Sequence, residues 1–211
     1  MPKNRRGGKR MGNGGGDNWS NSPNPYQIPA TLAEAVGQRG APMSMTDAYF
    51  DANPYYSDSY SEFSQNCQRC VFAYEMRRRG YDVEALPTYE GDMMPRGGNW
   101  QQAMSGMTVA DVGKTTERAT LRNIERQMKD WGEGSRAILR IKWAGGSSGH
   151  VINVEYANGK LNVWDAQSNA RMTGVDYLKH YLHYTTLSRT QLFRTDNATP
   201  TENMRFMVKK K

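Results

Sequence analysis

The sequence predicts an α+β domain in which helices come first and a mostly antiparallel sheet follows. Three observations carry this. Residues 67–79 read as a helix that Asn66 can cap and Gly80 can stop. Residues 116–131 read as a second helix, with Leu121, Ile124, Met128 and Trp131 at helical spacing. Asn158-Gly159 then separates two alternating apolar segments, His150–Tyr156 and Lys160–Asp165, which is the strongest short-range hairpin signal.

The remaining elements fall around these. Residues 31–36 suit a short helix, and 45–63 an irregular, aromatic-rich lead-in. A short strand is expected over 81–86, ended by Pro87, and long Gly- and Met-rich loops over 87–114. Arg136–Trp143 alternates as a strand, 173–184 is an amphipathic helix, and strands are expected at 190–195 and 204–208.

Composition divides the chain. It has 211 residues, 37% of them hydrophobic, and the apolar deficit is concentrated near the start. Residues 1–30 are rich in Gly, Asn, Ser and Pro and cannot bury enough apolar surface to offset their ordering entropy. The expected organisation is a disordered basic arm over 1–44, a domain over 45–208, and a basic tail over 209–211.

The formal net charge of +7 points at first to nucleic acid. Lys3, Arg5, Arg6, Lys9, Arg10, Lys209, Lys210 and Lys211 account for it: without these eight cations the net charge of 7 falls to −1. Basicity of this kind supports weak, salt-sensitive contact with nucleic acid through the tails, or simply solvated ends. No apolar run is long enough to span a membrane, and the N-terminus lacks the apolar stretch of a signal peptide.

The hairpin places two polar residues. With Asn158-Gly159 as a two-residue turn, Ala157 pairs with Lys160, Tyr156 with Leu161, Val154 with Val163, Ile152 with Asp165 and His150 with Gln167. One face then carries Tyr156, Leu161, Val154, Val163 and Ile152, followed by Asp165, His150 and Gln167. That apolar face is expected to be the core face. His150 and Asp165 become diagonal neighbours far from the turn, roughly 7–8 Å apart by backbone. A carboxylate beside a histidine fixes its tautomer and stabilises the imidazolium, which suits general base work. The plain alternative is a strand-ending Asp165 and a satisfied rim histidine.

The cysteines, Cys67 and Cys70, stand three apart at the start of the first domain helix. A nucleophilic thiol must become a thiolate, and a helix N-terminus with a nearby imidazolium promotes that. Cys67 lies in the first turn and is preferred; Cys70 is one turn in and suits a small buried hydrophobe. A redox pair normally follows a strand, whereas Ser- and Asn-rich chain precedes this one. Zinc lacks a second cysteine pair, and His180 and His183 suit a helix surface, so no metal or other cofactor is expected.

The segment from Asn66 through Cys67-Gln-Arg-Cys70 and Arg77-Arg-Arg-Gly80 to Pro87 resembles the opening motif of the papain-fold toxin family of glutamine deamidases. Gly149–Val154 and Val163–Gln167 resemble its later motifs, and the likeness extends over roughly residues 60–197. The resemblance implies a papain-like fold, with a helix bearing the cysteine packed on a sheet bearing the histidine and aspartate. It implies Cys67 as nucleophile, His150 as general base and Asp165 as orienting acid. Papain's own catalytic cysteine is the second of such a pair, which keeps Cys70 as an alternative. Asn66, Gln65 and Gln167 are candidates for oxyanion or substrate contacts.

The implied activity is deamidation of a protein glutamine through a thioester, by a toxin, an effector or a phage-associated domain. Alternatives are a papain-like cysteine peptidase and a non-catalytic phage or interaction module that keeps the fold. Implied partners are a glutamine-containing protein substrate, an immunity protein or phage head components, and no membrane. The implied location is cytoplasmic synthesis, then a virion or delivery into a target cell.

Overall fold

The computed structural model describes residues 27–57, 61–89, 94, 98–168 and 174–211. Most of the arm expected over 1–44 lies outside them, but its last part does not. Helix α1 (Leu32–Val36) is capped by Thr31, whose Oγ1 accepts the Glu34 N–H at 3.1 Å, and it buries Ala35 and Val36 in a core. The folded body therefore starts before residue 45. Helix α2 (Met45–Phe50), capped by Ser44, and the short α3 (Ser61–Ser64) replace the irregular lead-in.

Helix α4 (Cys67–Arg78) runs through the centre of the molecule, with ten of its 12 residues buried. Its apolar residues are spread round the axis, and the helix is covered all round because its charged residues are paired. Glu75 accepts from Arg79 Nε at 2.7 Å, from Arg136 Nε and Nη2 at 2.9 Å each, and from Thr195 Oγ1 at 3.0 Å. Arg77 reaches Asp82 at 2.6 Å, and Arg78 reaches Glu155 at 2.7 Å. Burial alone would keep the Glu75 carboxyl neutral, but the Arg136 and Arg79 guanidiniums hold its pKa below the ordinary value. Gly80 ends α4 at φ +97°, and a Cβ there would stand 2.4 Å from the Gly40 carbonyl oxygen.

Strand β1 (Val83–Ala85) follows. The 87–114 stretch, expected as loop, contains a 3-10 helix at Asn99–Ala103 and strands β2 (Met104–Ser105) and β3 (Thr108–Asp111). Helix α5 (Glu117–Trp131) leads into β4 (Arg136–Lys142), β5 (Gly149–Ala157) and β6 (Lys160–Trp164). Helix α6 (Val175–His183), β7 (Gln191–Arg194), β8 (Thr199–Pro200), a 3-10 turn at Glu202–Phe206 and β9 (Val208–Lys210) complete the chain. The strand expected over 204–208 is thus a 3-10 turn passing into β9.

The main sheet is antiparallel, in the order β3-β7-β4-β5-β6. Asn158 and Gly159 adopt φ of 57° and 70°, the left-handed pair that a tight hairpin turn requires. The expected register holds from Ala157↔Lys160 to Asn153↔Trp164. It does not continue to Ile152↔Asp165, because Asp165 Oδ1 accepts the Gln167 N–H at 3.1 Å and this turn bends the chain off the ladder.

Both faces of the sheet are buried. Leu139, Ile141, Ile152, Val154, Leu161 and Val163 pack with α5 and α6 in one core. Ile138, Val151, Trp164 and Phe193 pack with α4 in another. A single core face was expected; the polar-looking face is covered by α4, where Asn153 Nδ2 donates to the Val71 carbonyl at 3.0 Å and Glu155 meets Arg78. The basic tail expected over 209–211 is instead part of a strand pair. β9 pairs with β1, Lys209 bonds Glu84 at 3.0 Å, and Lys211 bonds Asp51 at 2.9 Å.

Candidate active site

The N-terminus of α4 is fixed by Asn66, but not by the expected side-chain cap. The fully buried Asn66 amide donates to the Leu86 carbonyl at 3.1 Å and to Asn53 Oδ1 at 3.2 Å, and its Oδ1 accepts from Cys70 Sγ at 3.1 Å. With both ends of its amide engaged inside the protein, Asn66 is an anchor rather than a substrate contact. Asn53, a residue the sequence did not single out, also donates to the carbonyls of Phe63 at 2.9 Å and Gln167 at 2.7 Å. It thereby links the start of α4 to the segment after Asp165.

Cys67 is the first residue of α4 and is 7% exposed; its Sγ donates to Gln68 Oε1 at 3.3 Å, and it stands near enough to His150 to favour that ring's charged form. Cys70 is 1% exposed, and burial, its largest influence, pushes its thiol well above the ordinary range. A neutral thiol held by Asn66 is a packing group.

His150 is placed by the glycine before it. A Cβ on Gly149 would lie 2.3 Å from the Ile141 carbonyl oxygen, so only glycine lets β5 approach β4 this closely at its first residue. The His150 ring stacks on Trp143 at 6.2 Å between centroids and takes the edge of Tyr181 at 5.3 Å. Its Nε2 meets Asp165 Oδ2 at 2.8 Å, which leaves Nδ1 as the ring nitrogen for the thiol.

Four donors converge on Asp165. Oδ2 receives His150 Nε2 at 2.8 Å, the Tyr177 hydroxyl at 2.8 Å and the Tyr181 hydroxyl at 2.9 Å; Oδ1 receives the Gln167 N–H at 3.1 Å. The two tyrosine hydroxyls also bond each other. Burial opposes ionisation of Asp165, but the His150 charge and these hydrogen bonds hold its pKa below the usual carboxylate value. Burial likewise disfavours a charged His150, yet Asp165, followed by Cys67, raises it from 6.5 to about 10. The stable form of the pair is therefore an imidazolium beside a carboxylate.

Cys67, His150 and Asp165 thus come together, from α4, β5 and the end of β6. Of the other candidates, Gln167 reaches the site through its backbone, and Gln65 is exposed. His180 and His183 lie on the surface of α6, where His183 bonds Glu117 at 3.0 Å. Sequence reasoning missed Tyr177, Tyr181 and Trp143. The i, i+4 spacing of the tyrosines puts them on one face of α6, but nothing local shows that this face meets Asp165.

A cleft of about 270 Å³ opens beside His150, lined by Gln68, the residue after Cys67, and by Trp100, Gly149 and His150 among others. A larger cavity of about 930 Å³, between α5 and the β5–β6 turn, contains none of them. The smaller space is therefore the one that adjoins the cluster, through His150.

Residues 65–170, which include all three residues of the cluster, match the family model described as Papain fold toxin 1, glutamine deamidase. The chain belongs to this papain-fold toxin family. No curated protein and no solved structure matches the chain. Family and fold agree: the cysteine-bearing helix packs on an antiparallel sheet that carries the histidine. Among the described residues no helix is long and apolar enough to cross a membrane.

Proposed function

We propose that the chain is a cysteine-dependent amidohydrolase that converts a glutamine side chain of a target protein into glutamate. The observation that supports this is the convergence of the Cys67 sulfur, the His150 ring and the Asp165 carboxylate. A sulfur in the first turn of a helix, beside an imidazole that takes the thiol proton and becomes the imidazolium, is the setting in which a thiol becomes a nucleophilic thiolate.

In this mechanism the Cys67 thiolate attacks the glutamine Cδ, and the carbonyl π electrons move to oxygen. Backbone N–H groups at the start of α4, before Arg69, whose own N–H is given to the Asn66 carbonyl, would receive that oxyanion. The imidazolium gives its proton to the amide nitrogen, the C–N bond breaks, and ammonia leaves a thioester. Neutral His150 then takes a proton from water, hydroxide adds to the thioester, and glutamate departs as the thiol is restored. Asp165 stays ionised throughout and keeps Nε2 protonated.

On this reading the chain acts as a toxin, an effector or a phage-associated component. An immunity protein would silence it by covering the cleft beside Gln68 and His150. The test is ammonia release from glutamine-containing proteins. Release without chain cleavage that vanishes in Cys67→Ala supports deamidation. Chain cleavage would make the enzyme a peptidase. If neither cysteine reacts with iodoacetamide faster than free cysteine at about pH 6, the reading fails in favour of a non-catalytic module.

A further inference from the structure

The cleft beside His150 has an uneven charge. Its lining contains Arg140, Lys142 and Arg189 and no carboxylate. Lys142 is the cross-strand partner of Gly149, one residue from His150, and Arg189 is exposed on the turn before β7. Among the described residues, neither Lys142 nor Arg189 has an ion-pair partner. Arg140 is braced by Gln191 and lies over the Phe193 ring at 5.6 Å, which holds its guanidinium in place.

Unpaired cations in a concave wall focus a positive potential on whatever enters. Ser147 and Ser148, on the glycine-rich connection between β4 and β5, add neutral donors at the rim. Trp100, the one aromatic ring of the lining besides His150, is 3% exposed and offers no open platform for stacking a nucleobase. These features fit an acidic peptide better than a nucleic acid.

We infer that the Arg140–Lys142–Arg189 wall is a substrate subsite that selects glutamines flanked by aspartate or glutamate. The inference rests on the proposed glutaminase reading and names its substrate class. The acidic neighbours of the glutamine bind the wall, which lowers KM and aligns the side-chain amide with Cys67.

The test uses the full chain and three synthetic peptides with a central glutamine flanked by glutamates, serines or lysines. Ammonia release is followed in the wild type, in Lys142→Gln/Arg189→Gln, and in Arg122→Gln/Arg126→Gln. The last pair removes the same charge from the separate cavity along α5. Binding of labelled peptides to Cys67→Ala, with and without the Lys142 and Arg189 changes, is measured alongside.

The acidic peptide should be favoured over the serine peptide by about tenfold in kcat/KM, with the advantage shrinking as salt rises. The Lys142/Arg189 variant should lose that preference, whereas the Arg122/Arg126 variant keeps it. Equal use of all three peptides, or equal loss in both double variants, overturns the subsite and leaves deamidation intact. Charge-selective binding to Cys67→Ala without ammonia release from any peptide upholds the subsite and sinks the deamidase reading. Tighter binding of a single-stranded oligonucleotide at the same wall overturns the peptide assignment.

Discussion

His150 and Asp165 meet at 2.8 Å although the backbone ladder between their strands has already ended at Trp164. The Asp165 side chain both turns the chain, through the Gln167 N–H, and receives the imidazole. One carboxylate ends the strand and holds the imidazole.

Replacing Asp165 with Asn should therefore cost more than a hydrogen bond. Without the carboxylate charge the imidazolium loses its main support and the tautomer is no longer fixed. Ammonia release should fall by about 10³-fold or more, and the alkaline limit of the remaining activity should move to lower pH. A pH–rate profile of both proteins checks this.

The same pair sets a pH dependence of stability. His150 is raised from 6.5 in the unfolded chain to about 10 in the fold. Below pH 6.5 both states are protonated and the full contribution is present. Above that the unfolded chain sheds the proton first, so stability declines until the folded imidazolium itself titrates near 10. Urea unfolding of the wild type and of His150→Gln should show a gap that is constant below pH 6.5 and narrows toward 10.

The cysteines should separate cleanly. Cys67→Ala should abolish ammonia release while leaving thermal stability nearly unchanged. Cys70→Ala should keep most of the activity and cost about 1 kcal/mol, the net worth of a buried hydrogen bond to Asn66. The opposite pattern of activity would move the nucleophile by one turn.

Glu75→Gln tests the charged interior of α4. It leaves the Arg79 and Arg136 guanidiniums without their shared carboxylate, and loss of one member of a buried ion-pair network costs about 3–5 kcal/mol. Chemical denaturation gives the loss directly. The effect should appear in stability, not in the shape of the pH–rate profile.

Gly149→Ala probes the approach of β5 to β4. Its methyl group would meet the Ile141 carbonyl oxygen, and overpacking of this kind costs about 1–3 kcal/mol. Because His150 is the next residue, activity should drop further than the folded population does, as circular dichroism and ammonia release measured on one sample would show.

Local chemistry made the hairpin legible. Asn158-Gly159 can hardly be anything but a tight turn, and alternation outward from it placed His150 and Asp165 at one end. The start of α4 and its glycine stop were legible for the same reason. Partners far away in sequence were not. Nothing local in the sequence shows that Arg77, Arg78 and Arg79 will be paired, yet they join Asp82, Glu155 and Glu75 within the protein. Lys209 and Lys211 read as a loose tail because Glu84 and Asp51, which hold them, are distant in the chain. Tyr177 and Tyr181 escaped notice because a tyrosine on an amphipathic helix is ordinary until the neighbouring carboxylate is known.

Sulfur and imidazole are supplied by separate halves of the interior. Cys67 belongs to the packing unit around α4, whereas the rings that flank His150, Trp143 and Tyr181, pack with the unit around α6. The sheet is the partition between them, and Cys67 and His150 come together at its rim. Remote substitutions that let the two halves slip, such as truncations of Ile138 or Phe193, should disconnect nucleophile from base before the chain melts. Catalytic output would then act as a gauge of how firmly the halves are clamped.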